Sequence, residues 1–176
     1  MRITISKDGL IGVTATSLPS GFTSDPTSLS LSNPLNFPRD VMSPVRIYID
    51  EEATIPSIFT RTKTTFREAY ERAKSRKMGT LTSHPEGIVS DVLLYNPYGK
   101  ITETTIFNIA FYRDSRWLTP VTSSGCLGGV MRRWLVENGR IYEDIEGVLQ
   151  KDSIRENEWV LLFNGVQGCR VGKIYG

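Results

Sequence analysis

The chain has 176 residues, 39% hydrophobic and 23% charged, with 21 Lys and Arg against 19 Asp and Glu for a formal net charge of +2. That is apolar material for one packed domain, and so weak a charge makes no electrostatic case for nucleic acid or an anionic membrane. No apolar run approaches the ~18 residues of a membrane span, and two cysteines (Cys126, Cys169) with one histidine (His84) are too few for a disulfide scaffold or a His-based metal site, so no metal is expected.

In chain order, Arg2–Ser6 and Ile11–Thr16 alternate apolar and polar around Lys7-Asp8-Gly9, which predicts a β-hairpin. The alternating start is neither a signal nor a transit peptide, so a cytoplasmic location is expected. From Leu18 to Ser43 the composition shifts to Ser, Pro, Asn and Thr with little periodicity, which reads as a long loop or linker. Val45–Ile49 alternates as a short strand, and Ile58-Phe59-Thr60 is strand-like. Thr64–Met78 reads as a helix, with Phe66, Ala69, Tyr70 and Ala73 on one face and Gly79 as its stop.

Val89–Tyr95 is an apolar run broken by Asp91, as in a buried strand, and Asn96-Pro97-Tyr98-Gly99 is a turn. Ile101–Tyr112 is strand-like, and Leu127–Val136 reads as a helix opening on Gly128-Gly129. Ile141–Val148 is expected as a strand, Lys151–Glu156 as a short helix, and Trp159–Phe163 as a strand ending in Asn164-Gly165. Strands interleaved with helices predict a mixed α/β or α+β domain.

Four features carry chemistry. Lys63 stands at an element boundary, where an amine could hold a carbonyl cofactor; alone it reads as a solvated charge. Glu103 lies in an apolar stretch, and a carboxylate there needs a partner, either a nearby lysine or a cationic N–H. Ser123-Ser124-Gly125-Cys126-Leu127-Gly128-Gly129 leads into a helix, whose free amides suit an anion as well as an ordinary cap. The turn Asn164-Gly165-Val166-Gln167 could offer further amides, or be a plain turn.

The order of these features resembles a known family. Lys63-Thr64-Thr65, Asp91-Val92-Leu93-Leu94-Tyr95-Asn96, Gly99-Lys100-Ile101-Thr102-Glu103, Asn108 five residues on, Leu118-Thr119-Pro120 and Leu127-Gly128-Gly129-Val130-Met131-Arg132 look like the class IV aminotransferases. These are pyridoxal 5'-phosphate (PLP) enzymes, among them branched-chain and D-amino acid aminotransferases and 4-amino-4-deoxychorismate lyase. The Lys-Thr-Thr opening, with Arg67 and Tyr70 after it, resembles the lyase branch.

The resemblance implies the C-terminal cofactor-binding domain of a fold-type IV PLP enzyme. Lys63 would hold PLP and move protons, and Glu103 would pair with the pyridine nitrogen, a partner that lowers the carboxyl pKa. Ile106 would pack on the ring, and Val130, Met131, Gly165 and Val166 would offer backbone amides to the phosphate. Asn108 would brace the strand of Glu103. The implied reaction converts 4-amino-4-deoxychorismate to 4-aminobenzoate and pyruvate, a step of folate precursor synthesis. An amino acid transaminase and a non-catalytic PLP-domain protein are the alternatives. The implied partners are a small-molecule substrate and a second copy in a homodimer, with no nucleic acid and no membrane. Gly165 and Val166 stand where many transaminases carry hydroxyls, which favours the lyase. Family members carry a larger N-terminal domain, so the expected division is 1–50 as a remnant of that domain with its loop, 51–62 as linker and 63–176 as the PLP domain, with roughly 100 residues absent.

Overall fold

The computed structural model describes residues 2–15, 25–34, 37, 44–80 and 89–176. His84 and most of the Ser/Pro-rich stretch lie outside these residues. Strands β1 (Arg2–Ile5) and β2 (Ile11–Thr14) pair antiparallel, with Ile3 opposite Val13. Gly9 closes the expected hairpin turn with φ +78°, a conformation open to a residue without Cβ.

The other strands build one eight-stranded sheet. They are β3 (Val45–Ile49), β4 (Ser90–Tyr95), β5 (Ile101–Thr104), β6 (Asn108–Arg113), β7 (Arg116–Thr119), β8 (Tyr142–Glu143), β9 (Trp159–Asn164) and β10 (Gly168–Tyr175). Their spatial order is β5-β4-β3-β10-β9-β6-β7-β8. β3, from the stretch expected to belong to an N-terminal unit, runs parallel between β10 and β4 inside this sheet. β7 and β8 are also parallel, and the remaining neighbours are antiparallel.

That order forces the sheet to curl. β5 and β6 are five places apart, about 24 Å at the usual strand spacing. Only Thr105, Ile106 and Phe107 join them, a link that reaches about 14 Å when extended. The curl wraps its inner face around Val45, Ile47, Leu93, Ile101, Phe107, Ile109, Phe111 and Leu162.

Central strands are buried on both faces, which explains their unbroken apolar runs. In β4, Leu93 and Tyr95 face the inner core, while Val92 and Leu94 pack on Tyr70 and Ala73. In β9, Val160 and Leu162 point inward, while Leu161 and Phe163 pack outward with Leu135. The mixed α/β class expected from the sequence is the one the chain adopts.

Among the described residues three α-helices accompany the sheet: α1 (Ile58–Arg61), α2 (Glu68–Thr80) and α3 (Val130–Glu137). Several sequence boundaries need correction. Ile58–Thr60 is helical, not strand-like, because Ser57 and Thr60 form a capping box that satisfies the first amides. α2 begins at Glu68 rather than Thr64. Thr64 instead accepts the Phe66 amide in a local turn, and Phe66 sits outside the helix with its ring 4.4 Å from that of Phe59. The helix also runs through Gly79 to Thr80. α3 starts at Val130, three residues later than expected. Of Ile141–Val148 only Tyr142–Glu143 is strand, because the Asp144 carboxylate accepts the amides of Val148 and Leu149 and folds the segment into a turn. Lys151–Ser153 is a single 3-10 turn.

Candidate active site

Glu103 sits on β5 and is 4% exposed. Tyr70 reaches it from α2 and donates its hydroxyl to Glu103 Oε1 at 2.7 Å. Asn108, first residue of β6, donates Nδ2 to Glu103 Oε2 at a looser 3.4 Å and to the Leu127 carbonyl at 2.8 Å. Burial raises the Glu103 pKa to about 7; the Tyr70 hydroxyl, the Leu127 amide and the charges of Lys63 and Arg67 pull it down without cancelling the desolvation. The Tyr70 phenol is pushed up as well, first by burial and then by the Glu103 charge, so it remains a donor.

Lys63 lies in the link between α1 and α2, exposed, and near enough for its charge to act on Glu103. The lysine and carboxylate picked out from the sequence, 40 residues apart (103 − 63), thus come within electrostatic range of each other in the fold.

The start of α3 is tied to the same place. Its N-cap is Gly129, which has no side chain to cap the helix, so no N-cap side chain takes its first-turn amides. A Cβ on Gly129 would lie 2.3 Å from Asn108 Oδ1. Asn108 therefore packs the helix start with one end of its amide and braces the Glu103 strand with the other, the contact that the resemblance implies.

The β9–β10 turn joins this end of the sheet through register, because Asn108 pairs with Phe163 and the turn follows at Asn164. The Val166 and Gln167 amides donate to Asn164 Oδ1 at 2.9 and 2.8 Å. The Val166 amide thus reaches a ligand only by leaving Asn164. Ile106 is 39% exposed, Val130 70% and Val166 62%; Met131 is half-buried and Gly165 exposed. Most of the candidate residues are therefore open to solvent, whereas Glu103 is buried. A recess of about 440 Å³ between Pro56, Arg61, Lys100 and Ser124 includes none of them.

The sequence places Tyr70 on the buried face of a helix and within the lyase-like Lys-Thr-Thr stretch, but gives it no role in the site. A buried tyrosine needs a partner for its hydroxyl, and that requirement was the available signal. Among the described residues no group of His, Cys, Asp and Glu could hold a metal, and no helix is long and apolar enough to cross a membrane.

The donor set fits PLP. A buried carboxylate with one loosely held oxygen, an amine beside it and an uncapped helix start together match a ring nitrogen, a carbonyl carbon and a phosphate. The family model for amino-transferase class IV matches residues 2–174, and the chain belongs to that family.

A Schizosaccharomyces pombe protein provisionally named aminodeoxychorismate lyase is 57% identical over 74 residues, which cover 42% of this chain and 32% of that protein. The aminodeoxychorismate lyase of Saccharomyces cerevisiae is 33% identical over 193 residues, covering 99% of this chain and 51% of that protein. The chain thus spans about half the length, or less, of these curated relatives. A solved Legionella pneumophila structure, provisionally named 4-amino-4-deoxychorismate lyase, shares the fold with a TM-score of 0.61 at 22% identity, over 76% of this chain and 48% of that one.

Proposed function

We propose that this chain carries the PLP-binding face of an aminodeoxychorismate lyase, splitting 4-amino-4-deoxychorismate into 4-aminobenzoate and pyruvate. The observation that carries this reading is the buried Glu103 beside Lys63, with Tyr70 on one carboxyl oxygen and the other left loosely held. When bound, PLP supplies an electron sink for a carbanion at the substrate carbon. Lys63 would hold the cofactor and move the proton. Glu103 would pair with the ring nitrogen, and a cationic N–H there would offset the cost of burying its charge. Ile106 would pack on the ring. The amides of Val130 and Met131 would hold the phosphate with the Gly165 turn, where the Val166 amide would exchange Asn164 for the ligand.

The reaction needs no co-reactant, because the atoms of the substrate equal those of 4-aminobenzoate plus pyruvate. That suits a site whose polar groups can move one proton and stabilise charge. The 57% identity to a protein named for this activity supports the lyase over a transaminase. The exposed apolar residues Ile106, Val130 and Val166 on the site face support a second copy, or further chain, packing nearby. The setting would be folate precursor synthesis in the cytoplasm.

The test is to supply the purified chain with PLP and 4-amino-4-deoxychorismate. Equal release of 4-aminobenzoate and pyruvate is expected. A keto acid formed from an amino donor, with no pyruvate from the chorismate, would identify a transaminase instead. PLP bound without either product would identify a non-catalytic member.

A further inference from the structure

Asp91 has no exposed surface, and nothing proposed above uses it. A bare carboxylate at such depth is costly. Five accepted hydrogen bonds offset part of that cost, and burial still holds the Asp91 carboxyl above its ordinary pKa. Its Oδ1 accepts the Val92 amide at 2.8 Å, the Thr105 amide at 3.1 Å and the Thr105 hydroxyl. Its Oδ2 accepts the Thr104 hydroxyl at 2.5 Å and the Ile106 amide at 3.1 Å. Four of the five donors belong to Thr104, Thr105 and Ile106, which follow Glu103 directly. Thr104 ends β5, and Thr105 and Ile106 begin the short link that lets the sheet curl from β5 to β6.

The same turn is held from the other side. Arg67 donates to the Thr105 carbonyl, and its guanidinium lies over the Tyr70 ring, 4.5 Å from the centroid. Arg67 is four residues after Lys63 (67 − 63), so the turn behind the carboxylate is tied to the arm that bears the lysine.

We propose that Asp91 is a positioning residue, clamping the Thr104–Ile106 turn so that Glu103 stays against Tyr70 and Ile106 stays at the face of the site, with Arg67 joining that turn to the lysine arm. The inference rests on the reading of Glu103 as the partner of the cofactor ring. It does not require Asp91 to touch substrate or cofactor.

The test is Asp91→Asn in the full chain. Asn preserves the volume, but whichever way it turns, its NH2 meets a backbone N–H of Thr105 or Ile106 that now bonds the carboxylate. Glu103 is followed by 13C NMR titration without cofactor. Two effects on Glu103 then oppose each other. Removing the Asp91 charge alone lowers the Glu103 midpoint, because like charges raise a carboxylate pKa. Losing the Tyr70 hydrogen bond raises it.

A positioning role predicts that the midpoint rises by about half a pH unit or more, and that PLP binds about tenfold more weakly. Thr105→Val, which removes one clamp bond, should move both in the same directions by less, and decides the matter if the Asp91 variant does not fold. A midpoint that falls or stays put overturns the proposal, whatever the change in melting temperature. If the unaltered chain takes up no PLP, the cofactor role of Glu103 fails, while the midpoint still decides what Asp91 does.

Discussion

The Tyr70 hydroxyl and Glu103 Oε1, 33 residues apart in sequence, are joined by a buried 2.7 Å hydrogen bond. The bond links α2, which follows the lysine, to β5, which bears the carboxylate. The other oxygen, Oε2, accepts from Asn108 at a longer 3.4 Å. Tyr70→Phe removes a donor that lowers the Glu103 pKa, so the midpoint should rise above about 7. Bonds to charged groups contribute about 1.5–3 kcal/mol, so PLP affinity should fall about tenfold or more. A cofactor titration of the variant against the parent chain checks this.

Glu103 should also give the cofactor-free chain a pH-dependent weakness. Its folded pKa of about 7 lies above the ordinary 4.5. Between those values the folded chain keeps a proton that the unfolded chain has released, so stability falls as pH rises through the window. The full effect is up to about 3 kcal/mol above pH 7. Glu103→Gln should therefore be more stable than the parent by about 1–3 kcal/mol at pH 8, with much less difference at pH 4.5. Urea denaturation at both pH values measures it. Saturating PLP should shrink the difference.

Gly129 has no room for a methyl group, because Asn108 Oδ1 occupies the space. Gly129→Ala should push α3 away from Asn108 at a cost of about 1–3 kcal/mol, a usual range for overpacking. The specific consequence is weaker phosphate binding at the helix start. Inorganic phosphate titrated by amide NMR should shift Val130 and Met131 in the parent and markedly less in the variant.

Both cysteines are buried, and burial pushes the thiol of Cys126 up to about 11 and that of Cys169 up to about 12. Thiolate is the reactive form, so neither should react with an aromatic disulfide reagent at pH 8 in the folded chain. Both should react promptly in denaturant. Rapid labelling of the native chain would contradict the packing around Cys126 or Cys169.

Local signals in the sequence were enough for the hairpin at Asp8-Gly9 and for strands β3, β4 and β9, whose alternation or apolar runs are set by burial. They were not enough for α1, where a four-residue helix rests on one capping box rather than on a periodic face. Nor did they reveal β10, the eight-residue strand Gly168–Tyr175, whose Gly172 and charged Arg170 and Lys173 break the alternation. Gly172 is required there, since its Cβ would press on Leu162 and Val160. Lys63 and Glu103 were legible through motif order, and the fold brings them close. Tyr70, Arg67 and Asp91 were not legible as a unit, because Tyr70 and Arg67 reach Glu103 and Thr105 only once α2 packs on β4, and Asp91 reaches Thr105 only once β4 pairs with β5.

Lys63 as the residue that holds PLP is tested by adding PLP, reducing with borohydride, digesting the chain and locating the label by mass spectrometry. A visible band in the unreduced chain and a single pyridoxyl label on Lys63 are expected, and neither in Lys63→Ala. A label on another lysine, or an unchanged band in Lys63→Ala, would contradict it.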